Sequence, residues 1–189
     1  WSRIDQPTVT ELRRCSDGAL VAELGRDDDG ELLAAGFRHA ERFVAAGRDG
    51  TTPIHGIAIW PSTVAAGARL PVLERVYAGP QDFFAPKHFD LLLRLRALAE
   101  LGFVVVQSDG MGTNWRSRAF HGVCAQNLAD AGFPDRIAWL RAFAARHAEV
   151  DLERVGIFGG SAGGQNAADA DGAAASQRTA LRPASLGWR

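Results

Sequence analysis

One stretch constrains this 189-residue chain more than any other: Arg154-Val155-Gly156-Ile157-Phe158-Gly159-Gly160-Ser161-Ala162-Gly163-Gly164. An apolar run stops abruptly at glycines that flank a single serine. The pattern Gly159-x-Ser161-x-Gly163, after a strand and before a segment able to be helical, predicts a tight strand-to-helix turn. In such a turn the serine takes a strained backbone conformation that lifts its hydroxyl off the sheet edge. Residues two before and two after it lie against neighbouring backbone, where a Cβ would clash. The hydroxyl then sits beside the positive end of the helix, and the Ala162 N–H can point at a developing oxyanion. A phosphate-binding loop is the serious rival. Gly159 and Gly164 have its glycine spacing, but Gln165 and Asn166 stand where it needs Lys and Ser or Thr. A glycine-rich turn with an idle serine is the bland reading, and the preceding strand weighs against it.

The rest of the pattern supplies a sheet for that turn. Arg42–Ala46 and Ile54–Trp60 flank an Asp-Gly turn and read as a β-hairpin. Leu70–Tyr77 reads as a strand, His88–Leu101 as a helix stopped by Gly102, and Phe103–Gln107 as a strand buried on both faces. Phe133 to about His147 reads as a second helix and Arg154–Phe158 as the next strand. Strand–helix–strand–helix–strand implies right-handed crossovers and a mostly parallel sheet with covering helices, so the class is α/β. The first forty residues read as short strands and turns, with Ala19–Leu24 returning after Ser16-Asp17-Gly18. With 22 acidic and 21 basic residues, the net charge of −1 argues against a nucleic-acid surface or a polybasic membrane surface. No apolar run approaches the ~20 residues of a membrane span. Cys15 and Cys124 cannot form a disulfide framework.

Tyr77 is the only tyrosine and ends the strand two before the elbow in sequence. A strand-end aromatic usually caps a core. Its O–H is also an uncharged donor able to hold an oxyanion. Val76-Tyr77-Ala78-Gly79-Pro80, then Phe103-Val104-Val105-Val106-Gln107-Ser108-Asp109-Gly110-Met111-Gly112-Thr113, then Asp151-Leu152-Glu153-Arg154-Val155-Gly156-Ile157 and the elbow, together resemble the prolyl oligopeptidase family of serine peptidases, in its dipeptidyl peptidase IV-like branch. The resemblance runs from about Phe43 to about Gly164. It implies a partial α/β-hydrolase domain at residues 42–168, preceded at 1–41 by the end of a propeller-like β region and its link, with an atypical Ala/Arg-rich tail at 169–189. By the same resemblance Ser161 matches the nucleophile, Tyr77 a side-chain oxyanion donor and Ala162 a backbone one. Gly160 and Ala162 depart from the family, many of whose members carry aromatics on either side of the serine.

Acid and base follow the serine in this fold, in the order Ser, acid, His. Asp169 and Asp171 follow Ser161, but no histidine does. His39, His55, His88, His121 and His147 all precede it. His147 near a helix end reads as a cation favoured by the dipole, and His88 as surface. His121 and Cys124 could share a helix face, but no second pair completes a zinc site, so no metal and no cofactor is expected. Asp109 reads as a turn residue satisfying loop amides, and Asp135 as support for a helix start.

The expectation is a fragment of a serine peptidase acting through an acyl-enzyme on Ser161, with a peptide substrate of dipeptidyl or prolyl type. No nucleic-acid or membrane partner is expected, and a homo-oligomer is allowed for the intact protein. The alternatives are an esterase or acyl-peptide hydrolase on the same scaffold, or a non-catalytic remnant. Nothing in the residues assigns a compartment.

Overall fold

The computed structural model describes the backbone of residues 1–177 and the side chains of residues 1–170. Most of the expected Ala/Arg-rich tail lies outside the described residues. Two short strands open the chain, β1 (Val9–Arg13) and β2 (Leu20–Arg26), paired antiparallel as a separate ribbon. Their turn has Gly18 at φ +71°, and the Asp17 carboxylate accepts the Ala19 N–H at 3.0 Å. A single helical turn, α1 (Gly30–Ala34), leads to the main sheet.

That sheet holds β3 (Glu41–Ala46), β4 (Pro53–Ile59), β5 (Leu70–Arg75), β6 (Val104–Ser108) and β7 (Val150–Phe158), in the spatial order β3-β4-β6-β5-β7. The β3–β4 hairpin and the β4–β6 pair are antiparallel, whereas β5 runs parallel to both β6 and β7. Strand β6 is buried along its whole length, as its continuous β-branched run requires. The chain leaves β5 for β6 on one side, then crosses back to place β7 on the other. Right-handed crossovers in opposite directions put the connecting helices α2 (Leu93–Ala99) and α4 (Phe133–Arg146) on opposite faces. Side chains sort accordingly. Ile57, Ile59 and Val105 meet Leu95 and Ala99 of α2 on one face. Phe43, Ala58, Val72, Val104 and Val106 meet Ile137, Trp139, Leu140 and Phe143 of α4 on the other. Trp139 and Phe143 stack at 5.2 Å between centroids, and the Trp139 indole donates to the Phe43 carbonyl at 3.2 Å. The architecture is the expected α/β sheet with covering helices.

Helix α2 is shorter than the expected His88–Leu101. Leu92 sits at φ +52°, and the Asp90 carboxylate accepts the Leu92 N–H at 2.8 Å. This local side-chain bond offers the backbone an alternative to helix, so residues 88–92 stay irregular. His88 therefore precedes the helix and is exposed.

Asp135, in the first turn of α4, reaches further than support for its own helix. Its buried carboxylate accepts the backbone N–H of Arg48 and of Met111, each at 2.8 Å, and the Arg48 guanidinium at 2.9 Å. The tip of the β3–β4 hairpin, the segment after β6 and the start of α4 are thereby fastened to one group. A further short helix, α3 (Arg118–Gly122), is capped by the Ser117 hydroxyl accepting the Phe120 N–H at 3.1 Å.

Candidate active site

Ser161 follows β7 at φ +54°, in the left-handed region that L-residues avoid, and is exposed. The helix α5 (Ala162–Gln177) begins at the next residue. The Ala162 N–H is therefore among the helix's N-terminal donors without an i−4 partner inside the helix. A Cβ on Gly159 would run into the Gly163 and Val76 carbonyls, and one on Gly163 would run into the Val76 carbonyl, all closer than real side chains tolerate. The neighbouring Gly160 differs: a Cβ there would meet no atom within 4 Å. The two outer glycines of the motif are thus required by the crossing of the turn over the end of β5, and the one between Gly159 and Ser161 is not.

Tyr77 lies just past the end of β5. Sequence separates it from the elbow by two strands, but the sheet order makes β5 and β7 neighbours, so the two strand ends open side by side. The half-buried ring stacks against Phe84 at 4.4 Å between centroids and faces the α-carbon of Gly163. Its hydroxyl accepts a long bond from Gln81 Nε2 at 3.4 Å. Ser161, Ala162 and Tyr77 are therefore gathered at one end of the sheet. That end is where the order of strands reverses, the usual crevice for ligands in open α/β sheets.

Several residues not singled out in the sequence hold this arrangement. Glu74, near the end of β5 and next to the exposed Arg75, is buried against Arg136 of α4, with Nη1 donating to Oε1 at 2.8 Å. The same guanidinium donates to the Ala131 carbonyl at 3.1 Å and to the Tyr77 carbonyl at 3.3 Å. A charged residue following the apolar start of β5 was the available signal. Asn166 is buried one turn into α5, and its side-chain carbonyl accepts the Ala78 N–H at 3.1 Å. The elbow helix and the loop after β5 are thus joined by a direct bond.

Asp109 behaves as a loop-amide acceptor. Its carboxylate takes the N–H groups of Phe84 and Ala85 at 2.9 Å each. Burial pushes its pKa up, and the two amides and nearby Arg136 and Lys87 oppose that rise. Among the described residues no histidine hydrogen-bonds Ser161. His39 pairs with Asp29, His147 at the end of α4 with Glu41 at 2.9 Å, and His121 with the Pro80 carbonyl at 2.9 Å. Cys124 is free, and its thiol donates to the His121 carbonyl at 3.0 Å. No helix among the described residues is long and apolar enough to cross a membrane.

Residues 87–178 match the prolyl oligopeptidase family. Human dipeptidyl peptidase 8 is 33% identical over 113 residues, covering 59% of this chain but 13% of that protein. Among solved structures, Porphyromonas gingivalis dipeptidyl peptidase 4 superposes with a TM-score of 0.72 at 23% identity, covering 89% of this chain and 24% of the other. Pyrococcus horikoshii acylaminoacyl peptidase superposes with a TM-score of 0.68 at 22% identity, over 89% and 26% of the two chains. At those identities the two structures speak for the fold alone. The chain spans about an eighth of the human relative's length and about a quarter of the structural neighbours'.

Proposed function

We propose that this chain, a member of the prolyl oligopeptidase family, carries the nucleophile and the oxyanion-binding side of a serine peptidase. The observation that carries the reading is Ser161 at φ +54° on a turn whose flanking glycines admit no Cβ, with Tyr77 beside it. In this reading the Ser161 oxygen attacks a peptide carbonyl, the peptide C–N bond breaks, the hydroxyl proton passes through a general base to the departing amine, and water hydrolyses the resulting acyl-enzyme ester to the free acid and Ser161. The Tyr77 O–H and the Ala162 N–H stabilise the oxyanion of the tetrahedral intermediate. No residue of this chain is assigned the base, since no histidine follows the serine in the sequence. The names of the relatives suggest a peptide substrate cleaved near its N-terminus, in dipeptidyl or prolyl fashion. The small residues Gly160 and Ala162 leave the substrate pocket wider beside the serine than an aromatic pair would.

The test is a matched assay of an Xaa-Pro p-nitroanilide and a p-nitrophenyl ester on protein carrying this segment in its full-length context. Amide turnover should fall by at least about a thousandfold in Ser161→Ala. Tyr77→Phe should lower kcat by about ten- to a thousandfold, as loss of one oxyanion donor does elsewhere. Residues 1–189 alone should turn over neither substrate. Turnover of the ester without the amide would assign the esterase alternative, and amide turnover undiminished by Ser161→Ala would overturn the reading.

A further inference from the structure

A cavity of about 390 Å³ lies between the β3–β4 hairpin, residues 83–87 of the loop after β5 and the segment after β6. Its size is that of a small-molecule site. Three cationic side chains from three separate parts of the chain line it: Arg42 of β3, Lys87 and Arg116. None of the three is ion-paired with a carboxylate among the described residues. Lys87 lies over the Phe83 ring at 3.7 Å, and Arg116 spends one nitrogen on the Pro53 carbonyl at 2.6 Å. Arg3 also reaches the cavity, but Asp5 at 3.0 Å balances its charge.

The one carboxylate in the lining does not neutralise the three. Asp109 is turned to the amides of Phe84 and Ala85 and is buried. His55 reports the resulting field. Desolvation holds its pKa below the ordinary value, and the charges of Arg116, Lys87 and Arg42 depress it further, against a smaller opposing effect of Asp109. Val44 and Phe83, the latter under Lys87, supply apolar wall to the same cavity. Uncompensated guanidinium and ammonium groups around apolar surface match an oxyanion attached to an apolar body, and guanidinium forks suit a carboxylate in particular.

We infer that this cavity binds a small organic carboxylate, with its charge among Arg42, Lys87 and Arg116 and its apolar part against Val44 and Phe83. The inference does not depend on Ser161, so it stands or falls apart from the peptidase reading.

The experiment titrates the 189-residue chain by calorimetry with octanoate, with N-acetyl-Leu-Leu carrying a free C-terminus, with the amide of that peptide, and with inorganic phosphate. Saturable binding of a carboxylate is expected, at least tenfold tighter than the amide or phosphate. Tighter binding of octanoate would assign a free organic acid as ligand, and tighter binding of the peptide acid would assign a peptide C-terminus. Both uphold the site. Arg42→Gln combined with Lys87→Gln removes two exposed charges without touching the core and should weaken binding at least tenfold, with the far-UV dichroism unchanged. A second readout is the His55 ring by NMR, which faces Arg3, Arg42, Lys87, Arg116 and Asp109. Its pKa should rise on saturation in the parent chain and not in the double variant. Absence of carboxylate binding, equal affinity for the amide or for phosphate, or an unchanged affinity in the double variant would overturn the inference.

Discussion

Arg136 of α4 donates to Glu74 of β5 at 2.8 Å with both side chains shut off from water, and the same guanidinium reaches the carbonyl of Tyr77. A buried pair of this kind contributes little net stability, because desolvation offsets attraction, but losing one partner strands the other charge. Arg136→Met should therefore cost about 3–5 kcal/mol in urea unfolding. Adding Glu74→Leu should restore most of that loss. Simple additivity of the two single losses would show that the groups are not coupled.

The elbow glycines should separate sharply by position. Gly163→Ala drives a methyl group into the Val76 carbonyl and should destabilise by about 1–3 kcal/mol or more. Gly160→Ala points into open space and should stay within about 0.5 kcal/mol of the parent. Thermal melts of the two variants decide the matter, and equal losses would contradict the crowding described.

Asn166→Ala leaves the buried-side Ala78 N–H without its acceptor and should cost about 1–3 kcal/mol. Asn166→Asp keeps an oxygen in place and should lose clearly less. If the carboxylate variant is as unstable as the alanine one, the bond from Ala78 is not what Asn166 provides.

Asp109 gives a pH dependence with a definite sign. Its folded pKa is raised above the ordinary 3.8, so the folded chain keeps a proton that the unfolded chain has released. The stability from this group is complete below 3.8 and is lost as pH rises through its raised folded value. Asp109→Asn keeps an acceptor for the amides of Phe84 and Ala85 and should flatten that slope. Asp109→Ala should also flatten it, but with an added loss of about 1–3 kcal/mol for each amide left unpaired. Urea melts across the acid range check both.

Much of this fold was legible because its signals are local. An apolar β-branched run marked β6, the run ending at Phe158 marked the second part of β7 but not its start at Val150, and an Asp-Gly turn between apolar segments marked the β3–β4 hairpin. The glycines around Ser161 foretold its positive φ, since their spacing is dictated by the neighbouring backbone. The start of α2 was not legible, because a side-chain bond from Asp90 competes with the helix at Leu92. Nor was the Glu74–Arg136 pair, whose partners are 62 residues apart and meet only once α4 covers β5. The basic cavity was hidden for the same reason: Arg42, Lys87 and Arg116 are unremarkable until β3, the loop after β5 and the segment after β6 are brought to one end of the sheet.

The fastening of the hairpin tip to α4 also has a temporal side. Arg48 leaves the ribosome 87 residues ahead of Asp135, the carboxylate that receives it. At about 5–20 residues per second, its backbone and guanidinium wait on the order of ten seconds for that partner. During synthesis the hairpin must persist on its own pairing, or be re-formed, before the later half of the chain locks it.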